Sequence, residues 1–180
     1  MPTRPCQNLI NYLIKGVNMQ LPTHVTFGVL IQIILAILYP KTDPLFFILV
    51  FTFSLGSHFL LDSLAIMTYH PPDRQLTNFW LYWHILVYTS GTVFIISALI
   101  INPWFIVGIL GANLPDLWDW IILRWLLKST NKKLYVHKFA NKIRSFFKSY
   151  VPDLTYNKKG IVPEFILIIL VSISIMNFIM

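Results

Sequence analysis

Two short segments combine histidine and aspartate inside stretches of membrane-length hydrophobicity: His58-Phe59-Leu60-Leu61-Asp62 and Leu114-Pro115-Asp116-Leu117-Trp118-Asp119. An aspartate at the centre of a membrane helix costs roughly 2.5–3.5 kcal/mol, so ionisable side chains kept there ordinarily bind or react with something. His58 and Asp62 are spaced i, i+4 and project from one face of a helix, while Asp116 and Asp119, spaced i, i+3, share a face of another. Imidazole and carboxylate together form a donor set for a divalent cation, and zinc, manganese or iron each suits it. Cys6 is the single cysteine, so neither thiolate clusters nor an internal disulfide enter the chemistry.

The elements that must position these residues follow from composition. Of 180 residues, 56% are hydrophobic and only 12% charged, with a mean hydropathy of +0.66, which excludes an ordinary soluble domain. Stretches 22–39, 44–68, 79–101, 104–127 and 161–180 have spanning length or nearly so. Lipid admits only helices or closed barrels, so the expected fold is an all-α polytopic bundle of about five membrane helices. Pro40 and Pro44, Pro71-Pro72-Asp73, and Asn102-Pro103 mark short connections, making successive helices antiparallel. The expected divisions are an extension (1–21), a four-helix core carrying the polar residues (22–127), a basic segment (128–160) and a last membrane helix (161–180). Met19, just before Leu21-Pro22-Thr23-His24, reads as an alternative start. No small-residue cleavage site follows the first apolar stretch, so a retained helix is expected.

The net charge of +7 is unevenly placed. With the amino terminus inside, 13 of the 14 Lys and Arg fall on one side and only Lys41 on the other, predicting a cytoplasmic amino terminus and an external carboxyl terminus. This asymmetry accounts for the charge without nucleic acid, which is not expected as a partner. Val136, Phe139, Ala140, Ile143, Phe146 and Phe147 recur at helical spacing with Lys138, Lys142 and Lys148 away from them, predicting an amphipathic helix on the inner leaflet. The basic residues between Lys128 and Lys148 would attract anionic headgroups.

Depth provides an independent check. Counted from the inner ends at about 1.5 Å per residue, His24 lies ~3 Å in, Asp62 and His58 ~9 and ~15 Å, His84 ~8 Å, and Asp119 and Asp116 ~12 and ~17 Å. All six lie between the inner surface and roughly the middle of a ~30 Å core, so a shared polar pocket open to the cytoplasm is expected. Pro115 should free the carbonyl four residues earlier, and Gly108, Gly111 and Ala112 should let another helix approach closely. Some of these residues have plainer readings. His84, beside Trp83, suits an interface; Asp119 could pair with Arg124; His70 and Asp73 suit a turn; His137 suits a basic surface.

The segments Leu21-Pro22-Thr23-His24, Ser57-His58-Phe59-Leu60-Leu61-Asp62 and Leu114-Pro115-Asp116 resemble the bacterial and archaeal family of inner-membrane-associated metal-dependent hydrolases, over residues 21–141. The resemblance implies that His24, His58, Asp62 and Asp116 are metal ligands. It makes His70 and His137 further ligands or proton donors, and Asp119 a supporting carboxylate or general base. Asn141 stands where the His137 element would place a second ligand, and only His84 and Ser90 correspond to a histidine-rich segment of larger relatives, as in a divergent or minimal member. A more distant similarity to zinc-dependent phospholipase C points to phosphoester chemistry. The implied substrate is an ester or phosphoester of a lipid or lipid-linked molecule at the cytoplasmic leaflet. An ion or proton transporter and a catalytically silent membrane adaptor stand as alternatives. The transporter is disfavoured because the outer half offers mainly Gln32 and Thr52 and no acidic side chain within the spans.

Overall fold

A backbone in lipid must satisfy its hydrogen bonds within each segment or close a barrel, and the described residues form helices. The computed structural model describes residues 21–41, 43–69, 78–118, 122 and 135–179, and among them there are helices and no strands. Helix α1 is Leu21–Leu38, α2 Pro44–Leu64, α3 Asn78–Ile101, α4 Ile106–Leu117, α5 Tyr135–Phe147 and α6 Ile161–Ile179. Short 3₁₀ turns adjoin three of them, at Ala65–Met67, Pro103–Phe105 and Lys158–Gly160.

Four of these helical segments are long and apolar enough to cross a membrane: Leu21–Leu38, Pro44–Met67, Leu81–Ile101 and Lys158–Asn177. The expected fifth span over 104–127 is helical in α4 as far as Leu117, and most of its remainder lies outside the described residues. So do the extension up to residue 20, the Pro71-Pro72 connection, His70 and Asp119.

Local chemistry explains the starts. Asp43 caps α2, its Oδ1 accepting from the Leu45 N–H at 2.8 Å, with Pro44 in the first helical position where a missing N–H costs nothing. Asn102 performs the same service for the Pro103–Phe105 turn, accepting from the Trp104 N–H at 3.1 Å.

Helix α1 is central, touching α2, α3, α4 and α6. Its two long faces do different things. Val25, Val29 and Ile33 join Ala98, Phe105, Ile109, Val171 and Ile175 in the main apolar core. His24, Gly28 and Gln32, one helical turn apart, run along the polar side.

There Gly28 and Gly108 put the backbones of α1 and α4 in direct contact: a Cβ on Gly28 would stand 2.3 Å from the Gly108 carbonyl oxygen, and one on Gly108 would stand 2.2 Å from that of Gly28. Gly111 admits α2 somewhat less closely, a Cβ there falling 2.8 Å from the Phe51 carbonyl oxygen. The small residues of 108–112 thus bring α4 against two helices, as their sequence predicts. The pairings 28 with 108 and 32 with 104 run α1 and α4 antiparallel; 54 with 111 and 58 with 112 run α2 and α4 parallel.

The amphipathic helix expected between Leu134 and Lys148 is present as α5, and one side of it packs against α2. Ala140 and Arg144, four residues apart, are buried as α5 packs on α2, and the Ser63 hydroxyl of α2 donates to the Ala140 carbonyl at 3.3 Å. Phe146, on another side, is exposed. The segment that follows closes under the end of α2, the Leu154 N–H donating to the Ile66 carbonyl at 2.7 Å.

Candidate metal centre

Asp62 is the residue on which the polar side of the bundle converges. It stands on the last full turn of α2, fully buried, with His58 one turn earlier on the same face. The His58 Nε2 lies 3.3 Å from Asp62 Oδ2, and the His24 Nε2 of α1 lies 3.3 Å from Asp62 Oδ1. The two imidazoles are stacked, with ring centroids 4.3 Å apart and planes inclined by 23°. One ligand atom from each of His24, His58 and Asp62 lies within 4.8 Å of the other two, and all three side chains are excluded from solvent.

The tautomer of His58 is fixed by α4. Its Nδ1 is 2.8 Å from the Ala112 carbonyl oxygen. A carbonyl only accepts, so Nδ1 carries a proton, and Nε2 is the ring atom that faces the carboxylate. A backbone carbonyl behind one ring nitrogen is the usual way a metal-binding histidine is oriented for coordination through the other.

His24 completes the fit. Neither of its buried ring nitrogens makes a hydrogen bond. Its 3.3 Å approach to Asp62 exceeds the ~2.7–3.2 Å of a hydrogen bond, whereas donors ~2.0–2.2 Å from one tetrahedral ion stand ~3.3–3.5 Å apart. Two imidazoles and a carboxylate arranged in this way suit a divalent cation. The donor types admit zinc, manganese or iron alike.

Arg144 of α5 supports the centre from outside the spans. Its Nε donates to the Asp62 backbone carbonyl at 3.1 Å, and its Nη2 donates to the same oxygen. Burial pushes the guanidinium below its ordinary pKa, and the neighbouring Asp62 and Asp153 charges oppose that shift. A cation thus caps the carboxyl end of α2, where the helix dipole is negative, directly behind the ligand. On the other side the Thr23 hydroxyl, adjacent to His24, donates to Glu164 Oε1 of α6 at 3.0 Å, with both residues buried.

The expected ligands are therefore divided. His24, His58 and Asp62 come together. Asp116 is not one of that group: it is half-buried on α4, one turn beyond Ala112, and its charge reaches His58. His84, expected at a similar depth, is on α3 beside Tyr88, with ring centroids 6.3 Å apart, and is not part of the centre. Depth alone could not separate it, because helices at one depth still face different neighbours. His137 is on α5 one turn before Ala140; its side chain, like His70 and Asp119 entirely, lies outside what is described.

Sequence reasoning missed Arg144 and Glu164. Arg144 stands at i+4 from Ala140 on the face that α5 buries, and Glu164 is the lone ionisable residue of the 19-residue α6.

No family model, curated protein or solved structure matches this chain.

Proposed function

We propose that this protein is a membrane-embedded metal-dependent hydrolase acting on an ester or phosphoester of a lipid or lipid-linked molecule at the cytoplasmic leaflet. The observation that carries the metal is the convergence of His24, His58 and Asp62 from two antiparallel helices, with the His58 tautomer set by Ala112. Three protein donors leave a coordination position for water or substrate, as in catalytic rather than structural zinc sites. When bound, the ion supplies Lewis acidity that makes water a nucleophile near neutral pH and offsets charge developing on the substrate.

The chain's own residues have separate tasks in this reading. His24, His58 and Asp62 hold the ion, and Ala112 keeps the His58 proton on Nδ1. Asp116, more exposed than the three ligands and within electrostatic range of His58, is the carboxylate placed to accept a proton. Arg144 holds the backbone of Asp62 in register. The step from metal to hydrolysis rests on the motif resemblance together with the open coordination position.

The complete burial of all three donors favours a second reading, a metal-binding membrane protein without turnover, either an ion carrier or an adaptor. Elemental mass spectrometry on the detergent-purified protein, paired with release assays on phospholipid and ester-lipid vesicles, separates the two. One equivalent of zinc, manganese or iron, lost together with lipid hydrolysis in His58→Ala/Asp62→Ala, is the expected result. Metal bound without hydrolysis favours the second reading, and metal retained by the double variant refutes the site.

A further inference from the structure

At the end of the bundle opposite the histidines lies a cleft of about 810 Å³, within the ~300–1,000 Å³ of small-molecule sites. It is formed by the carboxyl end of α1, the amino end of α2, the carboxyl end of α3 and the Pro103–Phe105 turn. Gln32 lies eight residues, ~12 Å, along α1 from His24, and Lys41 is farther still, so the cleft is separate from the metal centre.

We propose that this cleft holds one anionic phospholipid of the surrounding bilayer, an acyl chain against its walls and the phosphate at Lys41. The walls are Ile33, Ala36, Phe46, Phe47 and Phe105, with Ile37 at the rim. The polar side chains among them are already engaged within the protein. The Gln32 Nε2 donates to the Trp104 carbonyl at 2.7 Å, and its Oε1 accepts from the Gly108 N–H at 3.0 Å. Asn102 is turned to the Trp104 N–H. The interior therefore has little to offer a polar ligand, while an apolar chain gains dispersion contacts along its whole length.

Among the described residues Lys41 is the one charged residue lining the cleft, and it is exposed. Asp43, two residues on, is committed to capping α2 through Leu45. From Gln32 to the end of α1 at Leu38 the helical wall runs ~9 Å, close to a third of the ~30 Å hydrocarbon core. Lys41 lies beyond that wall, at headgroup level, where a lysine attracts anionic lipid. An apolar wall ending in one exposed cation, at the depth where chain meets headgroup, is complementary to a single anionic amphiphile.

The test is native mass spectrometry of the full chain released from nanodiscs of 80% phosphatidylcholine and 20% phosphatidylglycerol, with a parallel sample given palmitate. The wild type is expected to retain one phosphatidylglycerol. Lys41→Gln should reduce its preference over phosphatidylcholine about fivefold. Ala36→Trp should reduce total lipid retention at least tenfold, and Ile37→Trp, at a position 63% exposed and free of packing demands, should reduce it in a protein that folds normally. Unchanged retention in the Ile37 variant, or unchanged headgroup preference in the Lys41 variant, overturns the proposal. Retention of palmitate to the exclusion of phospholipid overturns the choice of occupant.

Discussion

The two ends of α1 use polar residues in opposite ways. At its amino end Thr23, His24 and Thr26 are packed without solvent, and His24 is turned toward Asp62 with neither ring nitrogen hydrogen-bonded. At its carboxyl half Gln32 spends both functional ends of its amide on the backbone, one on Trp104 of the neighbouring turn and one on Gly108 of α4, and the adjoining walls enclose apolar space. The helix is apolar enough to span a membrane, yet one end leaves buried ring nitrogens without a hydrogen bond and the other satisfies its buried amide at both ends. What distinguishes them is whether the polar atoms are satisfied by the fold itself, a property invisible in hydropathy.

The largest perturbation removes what joins the ends. Gly28→Leu places side-chain atoms where the Gly108 carbonyl stands, and it should cost about 3 kcal/mol or more, read as a lowered thermal midpoint in detergent with both metal and lipid lost. Metal and lipid binding surviving together in that variant would break the picture of one rigid seam.

Arg144→Leu sharpens the comparison by acting on the metal end alone. It deletes a charged donor to the Asp62 carbonyl, worth about 1.5–3 kcal/mol, and should weaken metal binding by roughly 10–100-fold while leaving lipid retention unchanged. Equal metal content in wild type and variant across a chelator titration would remove Arg144 from the site. Glu164→Leu removes the acceptor and leaves the buried Thr23 hydroxyl without this partner, and about 1 kcal/mol of stability should be lost, measured by thermal unfolding.

The smallest effect belongs to the surface. Burial raises the Asp153 pKa, but hydrogen bonds from Thr155 and the charge of Lys148, 3.6 Å away, more than reverse this, so its carboxyl lies below the ordinary range. A lowered acid contributes stability that is present above the unfolded value near ~3.9 and is lost as pH falls through the folded one. Half-exposed as the pair is, Lys148→Ala should change stability by at most ~0.5 kcal/mol at pH 7 and by nothing in strong acid.

The helical class and most of the spans were legible from hydropathy, because a long apolar run has no other outcome in lipid. The i, i+4 relation of His58 and Asp62 was likewise legible, being a property of one helix. The small residues of α4 announced close contacts without naming Gly28 or Phe51 as partners, since partner choice depends on how helices rotate against one another. The same rotation brings His24 to Asp62 and leaves His84 on another face. Arg144 was obscured for a different reason: a basic residue on an amphipathic helix ordinarily faces water, and here α5 turns it inward to share the Asp62 carbonyl with the Ala65 N–H at the end of α2.

The Gly28–Gly108 crossing restricts how the chain can change over time. Neighbours in a packed interior usually tolerate drift by exchange, one side chain growing as the other shrinks. Here each position faces the other's carbonyl, and neither can become smaller. An enlarged residue at one therefore has no suppressor at the other, and any rescue must come from sliding or tilting a whole helix. That movement would also displace His24, four residues from Gly28, so a lineage keeping the centre is held to glycine at both positions by geometry alone.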